Sequence, residues 1–146
     1  MGISDPKDCF GSWSCRVTIL INGIDIIEIY RIRDVVNKYG DRFLNRIYTT
    51  KELDYCRGRA PQLASRFAAK EAVMKALGTG TRGVSWKDIE IIRYPGNAPI
   101  VNLHSSALKR AKQIGLNHLA ISLSHSKEYA VASVVGKSRF GNRLHD

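Results

Sequence analysis

An alanine-rich stretch, "RFAAKEAVMKALGTG" at residues 66–80, sets terms that the rest of the chain must meet. Pro61 suits a first helical turn, where a missing N–H costs nothing, and Gly78 supplies a stop; together they predict a helix from Pro61 to about Leu77. Ala68, Ala69, Ala72, Val73, Ala76 and Leu77 give that helix a broad face of small side chains, able to pack closely against a neighbour. The same turns carry Lys70, Glu71 and Lys75, and two glycines follow at once.

Around this helix the pattern alternates between strand and helix signals. β-Branched density from Val17 to Ile29 predicts a strand, and Ile29, Ile32, Val35 and Val36 then recur at helical spacing. Phe43, Leu44 and Ile47 mark a second helical patch, and "TTKE" at 49–52 is a capping box opening a short helix with Leu53 and Tyr55. "DIEIIRY", "PGNAP" and "IVNL" spell a hairpin over 88–103. Ser105 or Ser106 is placed to cap a helix through Ile114 that Gly115 closes, and residues 119–125 and 129–135 form a second hairpin. Helices and antiparallel strands without a repeating βαβ unit indicate an α+β domain spanning residues 17–136. Residues 1–16 are expected to be a flexible leader, and 137–146 a frayed basic tail.

A chain of 146 residues fits one domain. Its 23 Lys and Arg against 13 Asp and Glu, a formal +10, favour an anionic partner without choosing among nucleic acid, acidic protein, membrane surface and polyphosphate. Three cysteines without CxxC spacing argue against a disulfide framework or zinc site and for a reducing compartment. The longest apolar stretch, residues 17–30, is broken by Asn22, Asp25 and Glu28 and is too short to span a bilayer, so a cytoplasmic location is expected.

Several residues can carry chemistry, each with an ordinary structural alternative. Asp25 sits among isoleucines, so its carboxylate needs backbone N–H groups or a cation. Glu71 and Lys75, four apart in the favourable order, read equally as a surface ion pair. Lys70 and Arg66 read as solvated basic residues. Gly78 and Gly80 end a helix, or else "GTGTRG" offers N–H groups, threonine hydroxyls and Arg82 to phosphate oxygens. His125, at a hairpin end beside Ser124, Ser126 and Lys127, is either solvent-exposed or a phosphate donor.

Taken in order, "GIDIIEI" (23–29), "RFAAKEAVMKALGTG" (66–80), "SWKDIEI" (85–91) and "SLSHSKEYAVASVV" (122–135) resemble the 4′-phosphopantetheinyl transferases of the holo-acyl-carrier-protein synthase type. The resemblance implies an α+β fold in a homotrimer with active sites between subunits. It implies transfer of the phosphopantetheine arm of coenzyme A to a serine of an acyl carrier protein. Carried over by motif, Asp25 and Glu71 would hold Mg²⁺, and Lys75 would contact phosphates. Arg66, Gly78, Gly80, Arg82 and His125 would help bind the nucleotide part of coenzyme A. Arg31 matches the carrier-contacting position, with Arg33 beside it on a helix that also carries Lys38, Arg42 and Arg46. Elementary chemistry agrees: magnesium takes oxygen ligands, often only one or two carboxylates, and a metal with a lysine can neutralise a diphosphate. Glu71 is also a candidate base for the serine proton.

The rival is a basic module gripping RNA or DNA phosphates without catalysis. Aromatic residues are only 8% and are not interleaved with the basic cluster as stacking platforms are, and this reading leaves Asp25 and Glu71 without a role. A catalytically dead carrier-binding relative is the third reading.

Overall fold

The computed structural model describes residues 17–140; the leader 1–16 and residues 141–146 lie outside the described residues. The chain begins with β1 (Val17–Glu28) and passes directly into α1 (Ile29–Tyr39), α2 (Asp41–Ile47), α3 (Thr50–Cys56) and α4 (Ala60–Leu77). β2 (Ile89–Ile92) and β3 (Ile100–Leu103) form a two-stranded antiparallel ladder. α5 (Ser105–Gln113) then leads to β4 (Leu116–His125) and β5 (Tyr129–Phe140), which join β1 in an antiparallel sheet of order β1-β5-β4.

Local chemistry accounts for most of these boundaries. Thr49 and Glu52 close the capping box reciprocally: the Glu52 backbone N–H donates to Thr49 Oγ1, and the Thr49 backbone N–H donates to Glu52 Oε2 at 2.8 Å. Gly78 ends α4 at φ 69, a left-handed conformation open to glycine, with its N–H on Lys75 O and the Thr79 N–H on Met74 O.

α4 is the central helix. Twelve of its eighteen residues are buried, and it packs on β1 and β5 with α1 and α3 on its remaining sides. Gly23 makes that packing unusually close: a Cβ built there would lie 1.9 Å from the Ala72 carbonyl oxygen, so strand and helix meet backbone to backbone. Ala68, Ala69, Ala72 and Ala76 form the matching small-residue face.

Three expectations are corrected. Neither Ser105 nor Ser106 caps α5; the Asp88 carboxylate does so from the turn Trp86–Asp88, accepting from the Ser106 N–H at 3.1 Å and from its hydroxyl. Residues 137–140 continue β5 as a strand paired to Val17–Leu20, with Ser138 buried, rather than starting a frayed tail. Lys70 is not solvated. Its side chain has no exposed surface and its ammonium donates to Glu52 Oε2 at 2.8 Å, Trp86 O at 2.9 Å and Ile89 O. Three donors meet three acceptors, and for that reason a charge so deep is tolerated. Removing one partner of such a pair costs about 3–5 kcal/mol.

Candidate active site

β1 and β4 are opposite edges of the sheet, and α4 lies across it with β1 along one flank and β4 along the other. On β1, Ile24 and Ile26 point to the uncovered sheet face and are exposed, whereas Gly23, Asp25 and Ile27 face α4. The strand's period of two thus turns Asp25 away from its isoleucine neighbours and toward the helix.

Lys75 meets it there. Its ammonium donates to Asp25 Oδ1 at 2.9 Å and to Ile24 O at 2.8 Å, while the lysine side chain stays half exposed. The surface pair Glu71–Lys75 is therefore not formed; Lys75 prefers a partner fifty residues away. Glu71, one turn earlier on the same face, has no ion pair or hydrogen bond among the described residues. Burial, then the negative charge of Asp25, raises its proton affinity above the ordinary carboxylate range, with Lys75 opposing. Two carboxylates that repel one another across a single ammonium form an oxygen-rich, electrostatically unsatisfied pair. A hard divalent cation such as magnesium fits such donors.

The other flank holds a different chemistry. Arg66 is buried, not solvated, and its guanidinium lies 4.1 Å from the centre of the Tyr55 ring. Its Nε–H is buried without a partner. This side chain lines a pocket of about 80 Å³ together with His125 and Ser124 from β4, Ser65, Tyr55 and Arg93. Tyr55 and Arg93 also border a wider cleft of about 500 Å³ that adds Arg57, Arg59 and Tyr94. Arg66 and His125 thus share one pocket, but Asp25, Glu71 and Lys75 do not line it. On a helix of 100° per residue, Arg66 and Glu71 stand about 140° apart.

Gly78, Gly80 (φ 57) and the exposed Arg82 lie past the end of α4, just beyond Lys75. Arg110 from α5 donates its Nε–H to Leu77 O at 3.0 Å, offsetting the negative end of the helix there. Arg31 and Arg33 project from the first turns of α1; Arg31 pairs with Glu28 at 3.2 Å, and Arg33 borders a cleft with Tyr30, Lys127 and Tyr129. Arg42 and Arg46 flank a second cleft with Val35, Tyr39 and Phe43.

A model of the 4′-phosphopantetheinyl transferase superfamily matches residues 22–134, which takes in both flanks of α4. The chain belongs to that superfamily. Among its relatives, the holo-[acyl-carrier-protein] synthase of Koribacter versatilis is 49% identical over 121 residues, covering 80% of this chain and 97% of the relative. The synthase of Dehalococcoides mccartyi strain ATCC BAA-2266 is 48% identical over 119 residues, covering 82% and 99%. The Helicobacter pylori holo-[acyl-carrier-protein] synthase, solved in complex with coenzyme A, superposes with a TM-score of 0.73 at 34% identity, covering 80% of this chain and 99% of that one. The Bacillus anthracis synthase, in complex with coenzyme A (3′,5′-ADP), gives 0.68 at 38% identity, covering 84% and 99%.

Within this phosphopantetheinyl transferase fold, sequence reading missed Tyr55, Arg93 and Glu52. Tyr55 and Arg93 carry no local signal, because only packing brings α3 and the end of β2 to Arg66. Lys70 did carry one. Leu63, Arg66, Lys70, Val73 and Leu77 recur at spacings of three and four, so the two cations share a stripe with three buried apolar residues.

Proposed function

We propose that the chain transfers the 4′-phosphopantetheine group of coenzyme A to a serine of an apo acyl carrier protein, releasing adenosine 3′,5′-bisphosphate. The observation that carries this reading is the meeting of Asp25, Glu71 and Lys75 on one flank of α4 in a fold whose relatives bear the synthase name. In the reaction the serine oxygen attacks the phosphorus bearing pantetheine, the bond to the bisphosphate breaks, and the serine proton must leave. Magnesium, held by Asp25 and Glu71, would supply charge neutralisation at the diphosphate. Lys75, anchored on Asp25 yet half exposed, presents a cation to the departing bisphosphate. Glu71, beside the attacked phosphorus in this reading, is a candidate to receive the serine proton directly or through an intervening water.

The buried, unpartnered Arg66 N–H and His125 favour the second pocket as the seat of the 3′-phosphate. The Asp25–Glu71–Lys75 group and the Arg66–His125 pocket lie on different faces of α4, about 140° apart. That separation supports a site completed by a neighbouring subunit. So does the uncovered sheet face, where Leu20 (72% exposed), Ile24 (63%), Ile26 (63%) and Val135 (47%) form an apolar patch suited to self-association as a trimer. The basic first turns of α1, with Arg31 and Arg33, adjoin the Asp25 end of β1 and suit an acidic carrier protein. No helix of the described residues is long and apolar enough to cross a membrane.

The test incubates the protein with coenzyme A, magnesium and apo carrier protein, then weighs the carrier by mass spectrometry. A phosphopantetheine increment is expected, abolished by Asp25→Ala. No increment with several carriers, alongside salt-sensitive binding of generic oligonucleotides, would instead favour the nucleic-acid module.

A further inference from the structure

Helix α3 grips the flank of α4 that faces away from Asp25. Glu52 and Tyr55 stand three residues apart on α3, and Lys70 and Arg66 stand four apart on α4, so both pairs lie on one face of their helices. Glu52 Oε2 receives the Lys70 ammonium at 2.8 Å, and the Tyr55 ring lies under the Arg66 guanidinium at 4.1 Å. These are two rungs between the same two helices.

The lower rung is fully determined. Besides Lys70, the Glu52 carboxylate accepts the Thr49 N–H at 2.8 Å through Oε2 and the Ile91 N–H at 2.8 Å through Oε1. Lys70 in turn reaches the carbonyls of Trp86 and Ile89. Neither side chain of this pair has exposed surface, and neither touches the candidate pockets. The upper rung ends in the pocket that holds Arg66 and His125.

We propose that Glu52 and Lys70 are positioning residues for transfer: with the Tyr55–Arg66 rung they form a two-rung clamp that fixes the rotation of α4 about its axis. A helix held by Lys70 presents Glu71, the next residue and about 100° round, toward Asp25. It also holds Arg66, one turn before Lys70, against Tyr55 at the wall of the pocket shared with His125. One buried pair therefore aligns both flanks. This inference rests on the transfer reading above.

A purely structural ion pair and a positioning pair respond differently to neutral replacement. Swapping a buried pair for neutral groups of similar volume often preserves stability, yet it removes the fixed directions of these hydrogen bonds. The experiment compares the parent with Glu52→Gln/Lys70→Met and with Glu52→Asp, which keeps the charge pair but shortens its reach. Thermal midpoint, calorimetric affinity for adenosine 3′,5′-bisphosphate, and kcat and KM for coenzyme A are measured well below the midpoint. The clamp predicts that folded variants lose at least tenfold in bisphosphate affinity and in kcat/KM, even with an unshifted midpoint. If either variant folds and stays within twofold of the parent in both quantities, the clamp is refuted. If neither variant folds, the pair is a stability element alone and the proposal is equally overturned. A parent that neither binds the bisphosphate nor transfers would sink the functional reading, whereas an active parent with unaltered variants sinks only the clamp.

Discussion

Gly23→Ala is the sharpest perturbation of the helix–strand contact that delivers Asp25. The new methyl would sit 1.9 Å from the Ala72 carbonyl oxygen, 2.9 Å from its carbon and 3.0 Å from the Ala76 nitrogen. A close carbon–oxygen approach is about 3.3 Å, so β1 or α4 must retreat by roughly 1.4 Å. Neither is free to do so, because β1 is laddered to β5 along its length and α4 is buried on most of its surface. Overpacking of this kind costs about 1–3 kcal/mol, and contact with backbone rather than a mobile side chain puts the cost at the upper end. At a few degrees per kcal/mol, the midpoint should fall by about 10 °C. A shift of about 1 Å between Asp25 and Glu71 should also lower transfer roughly a hundredfold at temperatures where the variant is folded. Calorimetry at fixed protomer concentration and the carrier mass assay read the two effects separately. Because the clash is with main chain, adding Ala72→Gly should not rescue either. A midpoint within 2 °C of the parent with a rate within threefold, or full rescue by Ala72→Gly, would show that the strand and helix do not meet as described.

Other outcomes are fixed by the same geometry. The Glu71 carboxyl is raised above 4.5 by burial and then by Asp25, so the folded state binds its proton more tightly than the unfolded one. Its contribution therefore favours folding below about pH 4.5 and fades as pH climbs through the raised folded value; the parent's stability relative to Glu71→Gln should decline as pH rises above about 4.5 and level off once the carboxyl is ionised in both states, and a flat difference by denaturant titration contradicts the Asp25–Glu71 proximity. Arg66→Gln should weaken adenosine 3′,5′-bisphosphate by about 10–100-fold, the worth of a charged hydrogen bond, with little effect on adenosine 5′-monophosphate; equal losses for both would place the 3′-phosphate elsewhere. Leu20→Lys combined with Val135→Lys should lower the mass seen by light scattering without unfolding the protomer, since both side chains are exposed in the single chain; an unchanged mass removes the sheet face as the subunit contact.

Signals that act within a few residues were legible in the chain. Pro61 and Gly78 bracket α4 because ring geometry and a left-handed φ act on the spot. Thr49 and Glu52 announced α3 because a capping box spans four residues, and the two hairpins followed from alternation around short turns. The motif order from Gly23 to Val135 was enough to place the chain in its superfamily, and the model match over residues 22–134 agrees.

Choices of partner across tens of residues were decided only by the packed structure. Sequence offered Lys75 a partner four residues away; folding gave it Asp25, because Gly23 lets β1 approach until that carboxylate is nearer than Glu71. It offered Lys70 and Arg66 to solvent; folding buried both, because α3 brings a carboxylate and an aromatic ring to cover them. Local rules know the sign and spacing of charges along one helix, but a buried charge takes its partner from whichever element reaches it with the right lone pair, and in this protein α3, β1 and β2 all reach α4 from elsewhere in the chain.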